Sequence, residues 1–270
     1  MSRIAERFAE LKKNSRKALI PYVTAGDPQA DVTVPVLHAM VEAGADILEI
    51  GVPFSDPMAD GPVIQAACER ALAHHITLHQ VLDMVSEFRR KDSSTPIILM
   101  GYLNPIEVWG YPEFARAAGE AGVDGVLTVD MPPEEAGELG ESLRANGIDI
   151  IYLLAPTSGV ERIRRVAAAA SGFIYYVSFK GVTGANSLDI DAVTGKLSEV
   201  RQYTDLPLGV GFGVRDPETA AQVAKIADAV VVGSVLVSKM GELADSPESI
   251  PAALASSVAE LRAAIDQAVS

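Results

Sequence analysis

Glu49 lies inside the apolar segment Asp46-Ile-Leu-Glu-Ile-Gly51, where a carboxylate is unusual because glutamate is rarely buried without a partner. Desolvation raises a carboxyl pKa toward the range in which the group gives and takes protons near neutrality. A salt bridge inside the fold, or a frayed strand end, would also account for it, so residue type alone leaves both readings open. The segment that follows, Val52-Pro-Phe-Ser-Asp-Pro-Met-Ala-Asp-Gly-Pro62, carries Asp56 and Asp60 between three stiffening prolines. Aspartate before proline or glycine is ordinary turn chemistry. The loop is nevertheless long, and Phe54 and Met58 are costly to expose, which points to a contact surface, a lid, or both.

Two further places suit an anionic ligand. Gly209-Val-Gly-Phe-Gly213 and Gly233-Ser234 each end an apolar run. Glycines there let the backbone approach a phosphate, and a serine hydroxyl adds a donor. Tyr175-Tyr-Val-Ser-Phe-Lys-Gly-Val-Thr-Gly-Ala-Asn-Ser187 ends another run in a loop with Gly181 and Gly184, a lid candidate.

Competing chemistries find less support. His74, His75 and His79 are clustered, but Thr77-Leu-His-Gln80 reads as a capping box that starts a new helix, which puts His75 and His79 on different elements. No nucleophile elbow with a Ser–His–Asp order is present. An imine-forming lysine would have to be Lys180, two residues beyond a strand, where solvation keeps its pKa high.

The elements that position these residues recur. Val41–Gly51 and Gly119–Asp130 share one logic: a helix ends at glycine, an aspartate turns the chain, and a β-branched run follows. Eight such runs are found, Ala18–Val23, Ile47–Gly51, Ile97–Tyr102, Gly125–Asp130, Ile148–Leu154, Phe173–Ser178, Leu208–Gly211 and Ala229–Gly233. Helically spaced apolar residues separate them, as in Val34, Leu37, His38 and Val41. Eight βα units in about 250 residues predict an α/β fold, a (β/α)8 TIM barrel, rather than a doubly wound open sheet. Ile4, Phe8 and Leu11 predict an extra N-terminal helix over the barrel's bottom, and Val258, Leu261 and Ile265 a C-terminal one. The expectation is a single barrel domain over residues 1–270.

Composition narrows the partners. A net charge of −14 disfavours nucleic acid and anionic membranes, while leaving room for a small phosphate bound by backbone N–H groups. One cysteine, Cys68, excludes an internal disulfide framework and fits a reducing compartment. No signal-peptide core and no apolar run of roughly 18 residues is present, so the expected location is cytoplasmic.

Four motifs carry a closer likeness. Leu48-Glu-Ile-Gly-Val-Pro-Phe-Ser-Asp-Pro-Met-Ala-Asp-Gly-Pro62, Pro21-Tyr-Val-Thr-Ala-Gly-Asp-Pro28, Gly181-Val-Thr-Gly184 and Gly211-Phe-Gly213 resemble the tryptophan synthase alpha subunit family, in the family's order, from about Arg16 to Val237. The resemblance implies retro-aldol cleavage of indole-3-glycerol phosphate to indole and glyceraldehyde 3-phosphate. It also implies no cofactor in this chain and a beta-subunit partner, bearing pyridoxal phosphate, in an alpha2beta2 complex. It implies Glu49, Asp60 and Tyr175 at the catalytic centre and Tyr22, Met100, Leu127 and Phe212 as indole-pocket walls. Thr183 would close over Asp60, and Gly184, Gly213, Gly233 and Ser234 would hold the phosphate. Pro53, Phe54, Asp56, Asn104 and Pro105 would face the partner. Tyr22 and Met100 stand where the family commonly has Phe and Leu; both keep an apolar wall, although the Tyr22 hydroxyl needs a polar partner.

Overall fold

The computed structural model describes residues 2–178, 189–211 and 213–269. Among the described residues the strands are β1 (Ala18–Thr24), β2 (Leu48–Gly51), β3 (Ile97–Gly101), β4 (Gly125–Thr128), β5 (Asp149–Ile150), β6 (Tyr152–Leu154), β7 (Ile174–Val177), β8 (Leu208–Gly211) and β9 (Ala229–Val232). All pair in parallel, in the order β5-β4-β3-β2-β1-β9-β8-β7-β6. The fifth expected run, Ile148–Leu154, is therefore two short strands. Its first half pairs with β4 and its second with β7, and Ile151 alone separates them. The two ends of the strand order are thus one stretch of chain, and the sheet curls into a (β/α)8 barrel. The stagger between strands that closure demands explains why this run meets its two neighbours at different residues.

The recurring glycine and aspartate have distinct jobs. Helix α2 (Ala30–Glu42) runs out toward Gly44 at φ 106°, and α6 (Tyr111–Ala121) ends at Gly122 at φ 93°, where a residue lacking Cβ is favoured. The aspartates that follow reach across the sheet. Asp46 accepts from the Leu19 N–H at 2.9 Å, Asp124 from Ile97 at 2.8 Å, and Asp228 from Leu208 at 3.0 Å. Each carboxylate satisfies a backbone donor at the start of the strand preceding its own, where the ladder has no acceptor to offer.

The barrel's interior is filled by alternate residues of the strands, including Ile20, Ile47, Ile98, Leu127, Ile151, Phe173, Tyr175 and Val231. Helix α1 (Arg3–Lys13) buries Ile4, Phe8 and Leu11 against that cluster, with the Phe8 and Phe173 rings 5.8 Å apart. Ser2 caps it, accepting from the Ala5 N–H. Helix α12 (Ile250–Val269) buries Val258, Leu261 and Ile265 as expected, and adds Arg262. That guanidinium donates to Asp46 at 2.9 Å and to the Lys17 carbonyl at 3.0 Å, tying the last helix to the first two strands. Arg262→Ala strands the buried Asp46 charge. It is expected to cost about 3 kcal/mol, read as a lower urea midpoint with unchanged slope. No helix among the described residues is long and apolar enough to cross a membrane.

Candidate active site

A cavity of about 600 Å³ opens among residues at the C-terminal ends of the strands, the face where such barrels carry their chemistry. Its wall includes Tyr22, Glu49, Asp60, Met100, Tyr175, Gly213, Gly233 and Ser234. Residues separated by up to 212 positions in the chain are thereby brought to one site.

Strand register explains the convergence. Tyr22 pairs with Glu49, and Glu49 with Ile98, so the three lie in one layer; Met100 stands two residues above Ile98. Tyr175 comes from β7 across the barrel. Two close approaches seat the tyrosines. A Cβ on Gly51 would fall 2.0 Å from the Tyr22 hydroxyl, and one on Gly211 would fall 2.1 Å from the Tyr175 hydroxyl. Tyr22 also meets the Thr24 hydroxyl at 3.3 Å, which supplies the polar partner its sequence position calls for.

Glu49 is 1% exposed. Among the described residues it has no ion-pair partner, and its buried Oε1 has no hydrogen-bond partner, so a structural salt bridge does not explain it. Burial, with the Asp60 charge as a second cause, pushes its carboxyl up to about 8. Asp60 sits in the loop between β2 and α3 (Pro62–Ala73) and is half-buried. Burial raises its pKa as well, but a hydrogen bond from the Tyr102 hydroxyl, 2.8 Å from Oδ2, works against that rise. The two carboxyls are thus held differently: among the described residues Glu49 Oε1 has no partner to offset burial, whereas at Asp60 the Tyr102 hydroxyl opposes part of the rise.

Tyr102 carries no functional mark in the sequence. It ends the β3 run as an ordinary buried tyrosine would, and the only signal was a polar tip needing a partner. Its hydroxyl also accepts from the Ala59 N–H at 3.0 Å, and its ring stacks on Phe54 at 5.1 Å. Gln65 fastens the same loop by donating to the Asp60 carbonyl at 2.8 Å. Tyr102→Phe is expected to lower kcat/KM by about tenfold, the scale of one hydrogen bond to a charged group. It should also move the acid limb of the pH profile upward, because Asp60 loses the donor that favours its anion.

Other expected residues distribute as follows. Leu127 pairs with Met100 and is fully buried in the barrel interior, but it does not line the cavity formed by the described residues. Thr183, Gly184 and Phe212, and with them Lys180, lie outside the described residues. Gly233 and Ser234 stand at the start of α11 (Ser234–Glu242), whose positive dipole end favours an anion. Phe54 is half-buried on Tyr102 rather than exposed, Pro53 is buried, and Asp56 and Asn104 are exposed, with Pro105 between. Met58 is 87% exposed and Val108, which bears no mark in the sequence, 81%. The histidines settle into local roles: Thr77 and Gln80 form the capping box, and His79 stacks on Trp109 at 3.6 Å.

A family model described as tryptophan synthase alpha chain matches residues 8–266. The chain belongs to that family. The tryptophan synthase alpha chain of Thioalkalivibrio sulfidiphilus is 62% identical over 266 residues, covering 98% of this chain and all of the relative. The crystal structure of the tryptophan synthase alpha subunit of Legionella pneumophila superposes with a TM-score of 0.92 at 46% identity, covering 99% of both chains. A structure of Mycobacterium tuberculosis tryptophan synthase gives 0.87 at 37% identity, covering 98% of both. Membership in the tryptophan synthase alpha family accounts for the barrel and for the order of the motifs along it.

Proposed function

We propose that this chain catalyses the alpha reaction of tryptophan synthase, the retro-aldol cleavage of indole-3-glycerol phosphate to indole and glyceraldehyde 3-phosphate. The observation that carries the residue-level reading is the buried Glu49 carboxyl, whose Oε1 has no hydrogen-bond partner among the described residues, facing a cavity that also holds Asp60. Breaking the bond between indole C3 and the glycerol chain requires a proton on C3. Glu49, protonated at neutral pH, donates it. Protonation makes C3 tetrahedral and leaves the positive charge on C2 and the ring nitrogen, where the Asp60 anion stabilises it. As the carbon–carbon bond breaks, its electron pair returns to the ring and yields neutral indole. The adjacent hydroxyl loses its proton as the aldehyde forms, and the Glu49 carboxylate takes that proton back, so the cycle closes with no net proton consumed.

Tyr175, Tyr22 and Met100 make the apolar wall against which an indole ring packs, with Leu127 behind it and Phe212 assigned to it by family resemblance. Gly213, Gly233 and Ser234 receive the phosphate; family resemblance adds Gly184 to that role and assigns Thr183 to Asp60. The proton and charge chemistry proposed for Glu49 and Asp60 calls on no cofactor, and family resemblance assigns pyridoxal phosphate to the beta-subunit partner. Met58 and Val108 are exposed apolar side chains of the kind a partner covers; family resemblance turns Pro53, Phe54, Asp56, Asn104 and Pro105 toward that partner in an alpha2beta2 assembly, and the compartment proposed is the cytoplasm.

The test is indole release from indole-3-glycerol phosphate by the purified chain, alone and with a beta subunit, beside Lys180→Ala. Release by wild type and Lys180→Ala is expected. No indole from wild type, even with the beta subunit present, overturns the reading, and loss confined to Lys180→Ala would replace the carboxyl mechanism with an imine.

A further inference from the structure

The proposed phosphate site is built from glycine-turn backbone and the start of α11, which supply partial rather than full positive charges. The cavity wall carries two carboxyl groups, Glu49 and Asp60, in a chain of net charge −14. Among the described residues Arg215 is the only cationic side chain on that wall. It follows Gly213 by two residues and is exposed to solvent while still contributing to the cavity. Hydrogen bonds from Thr219, helped by the Arg215 charge, lower the pKa of its neighbour Asp216. As the cap of α10 (Pro217–Ala224), the Asp216 Oδ1 accepts from the Thr219 N–H at 2.8 Å and from its hydroxyl at 2.7 Å. Among the described residues Arg215 makes no hydrogen bond and no ion pair. Its guanidinium donors therefore have no hydrogen-bond acceptor among the described residues, and the residue lies two positions beyond the Gly213 turn that the phosphate reading depends on.

We infer that Arg215 is a specificity-determining residue for the phosphate of the substrate, supplying the full positive charge that the glycine turns lack. The inference rests on the phosphate-bearing substrate proposed above. A planar guanidinium offers paired donors that match phosphate oxygens. Its field also offsets the two cavity carboxyl groups along the approach of a dianion. Because the side chain is exposed, its effect is modest and salt-dependent: about fivefold in affinity, the upper end for exposed charge pairs.

The experiment compares wild type, Arg215→Gln and Arg215→Lys in indole release across a range of ionic strength, with inorganic phosphate binding followed by calorimetry. Arg215→Gln is expected to raise KM, and the Kd for inorganic phosphate, about fivefold. It should change kcat less than KM and flatten the dependence of kcat/KM on salt. Arg215→Lys should retain most of the salt dependence and part of the affinity. An Arg215→Gln enzyme with unchanged KM, phosphate Kd and salt slope overturns the inference, as does a fall in kcat alone. Wild type that neither releases indole nor binds phosphate overturns the substrate reading and this inference with it. Failure confined to the Arg215 variants leaves the substrate reading standing.

Discussion

Glu49→Gln is expected to abolish measurable indole release, a fall of about 10³-fold or more in kcat, while keeping the barrel fold and the affinity for inorganic phosphate. One group carries two proton transfers in this cycle, and each is worth about 10²–10⁴-fold when a positioned side chain performs it. An amide of the same shape can do neither. Because the free carboxyl titrates at about 8, kcat/KM for wild type is expected to fall as pH rises through that value, since the form that donates to C3 is being lost.

Stability moves with the same group, and the sign is opposite to that of a salt-bridged carboxylate. The folded pKa, about 8, lies above the ordinary value of 4.5, so folding favours the protonated form. The stability is fully present below the unfolded pKa and is lost as pH rises from about 4.5 to 8. Glutamine does not ionise. Glu49→Gln is therefore expected to match wild type near pH 4.5 and to be the more stable protein above pH 8, by up to roughly 5 kcal/mol. Urea unfolding at both pH values measures the gap. A variant that is inactive and less stable at every pH would show that Glu49 serves packing. A variant that still turns over would remove it from the proton path.

The second large effect is at Asp60. Asp60→Asn is expected to lower kcat/KM by about 10²-fold, because the positive charge arising on the indole nitrogen loses its counter-charge. It carries a diagnostic of its own. The Asp60 charge is one of the two causes that raise the Glu49 pKa, so its removal should shift the basic limb of the pH profile downward. A loss of rate with that limb unmoved would place Asp60 outside the electrostatic reach of Glu49. Tyr102→Phe shifts the other limb, and the two variants together separate holding the Asp60 anion from having it at all.

The sequence alone determined the periodic plan and the identity of the residues with unusual chemistry. Eight apolar runs, the glycine stops, the aspartate turns and the amphipathic first and last helices follow from local preferences over spans of about ten residues. Those preferences persist in the fold, as Gly122 at φ 93° and the buried Ile4, Phe8 and Leu11 illustrate. Glu49 stood out for the same reason, since a carboxylate in an apolar run conflicts with its surroundings wherever that run goes.

Tertiary structure decided the pairings. The Tyr102 hydroxyl finds Asp60 across 42 residues, and Arg262 finds Asp46 across 216. Neither partner bears a local mark, because an ordinary tyrosine or arginine becomes a positioning group only when the barrel closes around it. Leu127 reads as one more apolar wall, yet sits in the interior away from the described cavity, while Arg215 reads as an ordinary surface cation and stands on the cavity's edge. Closure also split the run Ile148–Leu154 between two neighbours. Local interactions set which elements form; the pKa of Glu49, the ionic state of Asp60 and the sign of the field over the phosphate turns depend on distances that exist only after eight runs share one ring.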